Sequence, residues 1–292
     1  MRRDRASRTA AWVAGWRGLG AILGAAQLVD VRFGARFGGA WAERLAAIAA
    51  TARGQRVLAR LPPLVHWAGY MQVRTRVIDD ELRAFVAAIA PRAPQVVILG
   101  AGYDCRAARL PELVAVRVFE VDHPATQARK RAVLAELRAP HQATYVEWDF
   151  EAEPLAELPA ELARHGLDRA APTFVIWEGV TMYLTAPTID ATLAMARSLG
   201  GSGTRLCFNY VRRDQLDRPD LAARAMLTVV ARIGEPFKFG WDPAALPAHL
   251  AVHGWRLLHD RDGETAAHQR LPPSVARFVG GLGRHIATAI SE

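Results

Sequence analysis

From Gln95 onward the chain alternates short apolar, β-rich runs with longer stretches of helical periodicity. Val96-Val97-Ile98-Leu99 is a continuous apolar run between Pro94 and Gly100, the pattern of a strand buried on both faces. Val116–Val121, Thr144–Trp148, Thr173–Trp177 and Arg205–Tyr210 repeat the pattern. Helical stretches over 124–138, 153–166 and 187–199 fall between these runs. Alternation of this kind predicts βαβ units and a largely parallel sheet covered on both faces. His253–His259 and Thr265–Leu271, joined around Arg261-Asp262-Gly263, read as a terminal pair of strands.

The first ninety residues read differently. Helical periodicity is predicted over 8–24, 36–60 and, after the Pro62-Pro63 break, 70–90. A further helical insertion spans 214–245. The economical reading is one α/β domain over 1–292, with a helical cap (1–90), a Rossmann-like core (91–213 and 246–274) and a lid insertion (214–245). The apolar segment Thr9–Leu28 follows an arginine-rich start, but Arg17 interrupts it and no small-residue cleavage site ends it. It is too broken to span a membrane. Trp12, Trp16, Leu19 and Leu23 recur at helical spacing, so the expectation is an amphipathic helix packed on the protein, with no membrane contact.

Composition changes this picture little. With 51% hydrophobic and 23% charged residues and a mean hydropathy of +0.04, the chain has the makeup of a globular protein. The net charge of +8 invites a nucleic-acid reading. However, only Lys130 and Lys238 are lysines, and the arginines alternate with acids along most of the chain, so an ordinary solvated surface is expected. Two cysteines, Cys105 and Cys207, form neither a metal spacing nor a disulfide framework, which suits a reduced, cytoplasmic setting and no metal.

The chemistry concentrates where the first strand ends. In Gly100-Ala101-Gly102-Tyr103-Asp104, glycines let the backbone turn sharply and approach a ligand that a Cβ would exclude. Asp122 ends the second strand, where an acid can accept hydrogen bonds from both ribose hydroxyls of an adenosine. A dinucleotide fingerprint needs a third glycine three residues after the second, and that position holds Cys105. The pyrophosphate seat is poorly made, which favours S-adenosylmethionine (SAM) as the adenosine ligand. Asp149-Phe150 closes the third strand, where a carboxylate can accept the adenine amino group and a ring can lie on the base; a helix cap is the plainer role for such an acid. Glu178 follows the fourth strand and would face the ligand.

These segments together resemble the leucine carboxyl methyltransferase family, including its bacterial branch of natural-product O-methyltransferases. The resemblance rests on Arg74-Thr75-Arg76-Val77-Ile78-Asp79-Asp80, the glycine loop with Arg106 and Arg109-Leu110-Pro111, and Phe119-Glu120-Val121-Asp122-His123-Pro124 with Lys130. Ser7-Arg8-Thr9-Ala10, Glu178-Gly179 through Tyr183-Leu184, and Gly234-Glu235-Pro236-Phe237 with Gly240 extend it. It implies a seven-stranded, mostly parallel Rossmann-like core that uses SAM without a metal. Carried over, Arg74 would pair with the methionine carboxylate, assisted by Arg8. Gly100 and Gly102 would flank the methionine part, Asp122 would hold the ribose, Asp149 and Phe150 the adenine, and Glu178 would lie near the sulfonium. Cys105 stands where the family more often has a hydroxyl residue.

The acceptor site is expected to use the N-terminal helix, Tyr183, Tyr210, Arg212, Phe237, Phe239 and Trp241, whose aromatic rings could stack on a flat small molecule. A carboxylate acceptor needs no general base, whereas a hydroxyl does. Glu178, Tyr183 and His66 are the catalytic candidates, with His123 a nominal further base. The resemblance implies O-methylation of a small secondary metabolite. Rival readings are a SAM-dependent RNA or protein-carboxyl methyltransferase and an NAD(P)-dependent oxidoreductase.

Overall fold

Strand β1 (Gln95–Leu99) is buried along its whole length and forms the centre of the sheet in the computed structural model. The structure describes all residues except 1–5, 32, 91–92, 140–142, 220–222, 225–226, 229–235 and 281–282. The further strands are β2 (Arg117–Asp122), β3 (Ala143–Glu147), β4 (Thr173–Trp177), β5 (Arg205–Val211), β6 (Trp255–Asp262) and β7 (Arg284–Ser291). They form one seven-stranded sheet in the order β3-β2-β1-β4-β5-β7-β6. The first five run parallel, and β7 is inserted antiparallel between β5 and β6. The connections leave β1 in opposite directions, toward β2 on one side and β4 on the other. That switch point opens a crevice at the carboxyl ends of the two strands, where open α/β sheets take their ligands.

The strand side chains sort cleanly to two faces. Val96, Ile98, Phe174, Ile176, Cys207 and Ile286 join the core shared with helix Pro62–Ile89. Val97, Leu99, Val175, Trp177, Phe208 and Ala287 join the opposite core. Helix Pro62–Ile89 begins with prolines in its first turn, where a missing N–H costs nothing. It buries Val73, Val77, Leu82 and Phe85 against the sheet, and the Phe85 ring meets Phe174 at 5.3 Å between centroids. The same core takes in Trp16, Leu19 and Ile22, so the N-terminal segment is packed on the sheet layer.

Three expectations change. The helix predicted over 8–24 ends at Arg17 and continues as 3₁₀ turns over Gly20–Ala26. The helix predicted over 36–60 is three short helices, Gly34–Gly38, Ala40–Ala49 and Ala52–Leu58, and the Thr51 hydroxyl caps the last by accepting from Gly54 N–H at 3.1 Å. The supposed strand Thr265–Leu271 is helical, over Gly263–Arg270, because Asp262 accepts from Thr265 N–H at 2.8 Å and starts a helix there. The antiparallel partner of β6 is β7, beyond the end of the predicted core. Part of the lid insertion lies outside the described residues (220–222, 225–226 and 229–235): Arg213–Asp217 is helical, and from Pro236 the chain returns to β5 through a bridge between Arg212 and Trp241. No described helix is long and apolar enough to cross a membrane.

Truncating Phe85 to alanine removes a ring that is 1% exposed from the helix–sheet contact. The expected loss is about 3–5 kcal/mol of unfolding free energy, read as a lower urea midpoint with an unchanged m-value.

Candidate active site

Two glycines shape the loop after β1. Gly100 has φ +63° and Gly102 φ +50°, a backbone region that side-chain-bearing residues rarely adopt. A Cβ on Gly100 would stand 2.9 Å from Val180 Cγ2, and one on Gly102 would stand 3.1 Å from Ala10 Cβ. The loop is therefore pressed between the segment after β4 and the N-terminal helix Arg8–Arg17, which Ser7 caps by accepting from Ala10 N–H at 3.0 Å. Asp122 ties the loop to β2. Its Oδ2 accepts from Gly102 N–H and its Oδ1 from His123 N–H, both at 2.7 Å. Burial raises the Asp122 pKa, and these two backbone bonds work against the rise. Each oxygen retains a lone pair for a ligand hydroxyl.

Above this loop is a cavity of about 490 Å³. Gly100, Gly102, Asp122 and Glu178 line it, as do Asp149, Phe150 and Tyr183, so seven sequence-predicted residues meet in one place. Phe150 is 43% exposed, leaving a ring face free to cover a flat group. Asp149 Oδ1 accepts from Glu151 N–H at 3.0 Å, and its Oδ2 stands 3.9 Å from His123 Nε2. The acid both closes the turn and presents an oxygen to the cavity.

Glu178 is the electrostatic hub. Its Oε1 meets Arg17 Nη2 at 2.5 Å and Arg74 Nε at 2.6 Å, and its Oε2 accepts from Arg106 Nη1 at 2.8 Å. Arg106 also binds Asp104 and reaches Asp79 at 2.8 Å, and Arg109 reaches Asp79 at 2.7 Å. Burial alone would raise the Glu178 carboxyl, but Arg17, Arg106 and Arg74 together hold it well below the usual carboxylate range. Burial likewise works upward on Asp104, and Arg106 and Arg17 keep it low. Four arginines face three carboxylates, so this buried network carries one positive charge in excess. Three of its donors, Arg17 Nε, Arg74 Nη2 and Arg106 Nη2, are buried without a hydrogen-bond partner, and of these three residues Arg17 lines the cavity. Orphaned guanidinium donors beside a cavity call for an anionic acceptor.

Arg74 is 3% exposed and is not among the lining residues; its Nε is committed to Glu178, and Nη2 is buried without a hydrogen-bond partner. Several other candidate roles do not fit the geometry. Arg8 is likewise absent from the lining. Glu178 cannot serve as a base near neutrality, because three guanidiniums stabilise its anion. His66 lies outside the lining, and its Nδ1 donates to Phe278 O at 2.7 Å. Burial, aided by Arg284, pushes its pKa down. Tyr210 and Trp241 are buried in the core beneath β5, Phe239 packs edge-on against Trp241, and Tyr210 donates to Asp260 at 2.7 Å. Arg212 pairs outward with Asp214. Of the expected acceptor-site residues, Tyr183 lines the cavity and the Phe237 ring packs edge-on against it, 5.4 Å between centroids. Gly234 and Glu235 lie outside the described residues. Cys105 is buried, with its thiol pushed up to about 12 by desolvation, and acts as packing under the loop.

Arg17, Lys238 and Asn209 were not anticipated. Arg17 reads in sequence as an interruption of an apolar helix, and it lines the cavity. Lys238 also lines the cavity, fixed by its own N–H donating to Met182 O at 2.7 Å. Asn209 on β5 accepts from Gly179 N–H at 2.6 Å and holds the turn that carries Glu178. Away from the cavity, Asp190, His249 and His253 gather side chains of metal-ligating type. The Trp241 indole N–H donates to His249 Nδ1 at 2.8 Å, so in the neutral ring Nε2 keeps its proton and donates to Asp190. That proton occupies the position a metal would need.

Strand order, glycine loop, acid at the tip of β2 and cavity define a class I SAM-dependent methyltransferase. The model of the leucine carboxyl methyltransferase family matches residues 10–197, and the chain belongs to that family. Proteins described as a "Putative S-adenosyl-L-methionine-dependent methyltransferase" are similar to it. One from Parafrankia sp. is 32% identical, over 76% of this chain and 69% of its own. Another from Streptomyces coelicolor is 35% identical, over 72% of this chain and 71% of its own. Among solved structures, magnesium protoporphyrin IX methyltransferase from Synechocystis with bound adenosylhomocysteine is 16% identical, covering 77% of this chain and 86% of that one at a TM-score of 0.47. An O-methyltransferase family protein from Burkholderia thailandensis is 13% identical, covering 85% and 62%, with a TM-score of 0.48.

SAM fits these residues: the loop offers a Cβ-free approach, Asp122 has spare lone pairs, and the arginine network lacks an anion. Two outcomes follow. Replacing Glu178 by Gln strips three buried guanidiniums of a shared partner and is expected to cost about 3–5 kcal/mol at neutral pH, read by chemical denaturation. The depressed Glu178 pKa stabilises the native state above the unfolded carboxyl pKa of about 4.3, and this contribution disappears as pH falls through the lower native value. Glu178→Gln should therefore show a flatter decline of stability in acid than the parent protein.

Proposed function

We propose that this methyltransferase modifies an oxygen of a small molecule, and that the oxygen belongs to a carboxylate. The observation that carries this reading is that the carboxylates Glu178 and Asp104 and the imidazoles His66 and His123 are each engaged in a way that withholds them from acting as a base. Glu178 and Asp104 are held ionised by arginines, and His66 points elsewhere. His123 stands between Asp122 and Asp149, and its Nδ1 accepts from Ala125 N–H. A hydroxyl acceptor must lose a proton during transfer, whereas a carboxylate arrives without one. Lys238 adds a cation to the same cavity, suited to holding a second anion.

In this reading the Gly100–Gly102 loop flanks the methionine part and Asp122 holds the ribose, with Asp149 and Phe150 at the base. Arg17 and Arg74 hold the amino-acid carboxylate through their orphaned donors. Bound SAM supplies an electrophilic methyl group, and the chain supplies alignment. Tyr183, Phe237 and Pro236 exclude water and hold the acceptor, and near-attack alignment of this kind is worth about 7–11 kcal/mol. Aromatic walls suit a flat or apolar acid, the kind of acceptor that secondary metabolism provides, and such an acid is our preferred substrate class.

Charged hydrogen bonds of this kind are worth about 1.5–3 kcal/mol. Arg17→Ala and Asp122→Ala are each expected to weaken SAM at least tenfold by calorimetry without unfolding the chain. Tyr210→Phe should leave affinity unchanged. The acceptor class is read from labelled product: methyl esters release labelled methanol in mild alkali and methyl ethers do not. Turnover of hydroxyl compounds to alkali-stable product, with no transfer to acids, would overturn the carboxylate assignment. A kcat that rises through about pH 6–7 would count against it as well, since transfer without a base predicts a flat profile there.

A further inference from the structure

Helices Ala40–Ala49 and Ala52–Leu58 carry a surface that the methyl-transfer site does not use. Trp41, Arg44 and Ile48 recur at helical spacing on the first helix and are all exposed. Arg53, Arg56 and Val57 recur in the same way on the second, and the exposed Arg60 and Leu61 follow immediately. Ile48, Val57 and Leu61 are 45%, 52% and 46% exposed, and with Trp41 they make up half of the strongly exposed large hydrophobics among the described residues. The two helices abut: Gly54 lies against Ile48, so close that a Cβ there would stand 2.6 Å from Ile48 Cγ2. Leu58 and Gln55 point the other way, Leu58 into the core and Gln55 donating to Ala21 O at 2.7 Å.

The charge on this surface has one sign. No aspartate or glutamate occurs between Arg44 and Ile78. Arg44, Arg53, Arg56 and Arg60 make no salt bridge among the described residues. By contrast, Arg36, Arg76, Arg83, Arg164, Arg212 and Arg213 are each paired with an acid. Guanidiniums interleaved with exposed Trp, Ile, Val and Leu match an interface that is anionic at its surface and apolar a few ångströms below. A polyanion such as RNA would satisfy the arginines but not the aliphatic side chains.

We propose that this two-helix face docks the protein onto an anionic lipid bilayer, with the arginines at the headgroups and Trp41, Ile48, Val57 and Leu61 at the acyl boundary. The sequence alone predicts no membrane contact; the shared exposure of these residues changes that. The association is peripheral and reversible.

The test is cosedimentation of the full chain with vesicles of phosphatidylcholine alone and with 3:7 phosphatidylglycerol. Binding is expected only to the anionic vesicles and should fall with added salt. Each arginine near such a surface contributes about fivefold in partitioning, so R53Q/R56Q/R60Q should reduce binding about a hundredfold. I48S/V57S/L61S keeps every charge and should still reduce binding at least tenfold. Neither variant touches the cavity, so unchanged SAM affinity by calorimetry verifies folding. Absence of binding to anionic vesicles by the parent chain overturns the proposal, as does full binding by the apolar triple variant. Displacement of vesicles by poly(A), with the apolar triple variant binding poly(A) as tightly as the parent, would assign the face to nucleic acid instead.

Discussion

Everything at the active end of this protein depends on a carboxylate held by three guanidiniums. Glu178 sits just past β4, where the sheet opens, and Arg17, Arg74 and Arg106 reach it from three separate parts of the chain. Burying ions is expensive, and a buried ion pair is weak evidence of net stability. Here the arrangement fixes position. The N-terminal helix, the long helix Pro62–Ile89 and the loop after β1 are pinned to one point, and that point borders the cavity. The surplus positive charge then makes an anionic ligand group a structural complement as well as a passenger.

The same network separates two roles that the carboxylates might have shared. Asp122, raised by burial and bonded through backbone N–H groups, keeps acceptor capacity for hydroxyls. Glu178, depressed by its arginines, is lost to proton transfer. With its charge engaged in ion pairs, the site leaves transfer to depend on alignment, which suits the pre-ionised acceptor proposed above. The Tyr183 ring lines the same cavity and is backed edge-on by Phe237.

The parallel half of the sheet was legible because strands buried on both faces must be continuous apolar runs, and β1 and β4 are such runs. β7 was not. Its sequence, Arg284-His285-Ile286-Ala287-Thr288-Ala289-Ile290-Ser291, is buried nearly throughout, yet its small and polar residues carry little hydrophobic contrast. The glycine loop and Asp122 could be read because backbone geometry demands those residue types at that spacing. Arg17 was missed for a physical reason: within Trp- and Ala-rich sequence a lone arginine looks like a break in an apolar face, and only the fold shows the acid it meets. Tyr210 and Trp241 failed in the opposite sense, since an aromatic after a strand looks the same whether it faces a ligand or a core.

The central proposal is that Arg17 and Arg74 hold the carboxylate of the cofactor. The direct measurement compares adenosylhomocysteine with its decarboxylated analogue, titrated calorimetrically into the unmodified protein. Two charge-assisted contacts predict a loss of at least a hundredfold in affinity when the carboxylate is removed. Equal affinity for the two compounds would contradict the account.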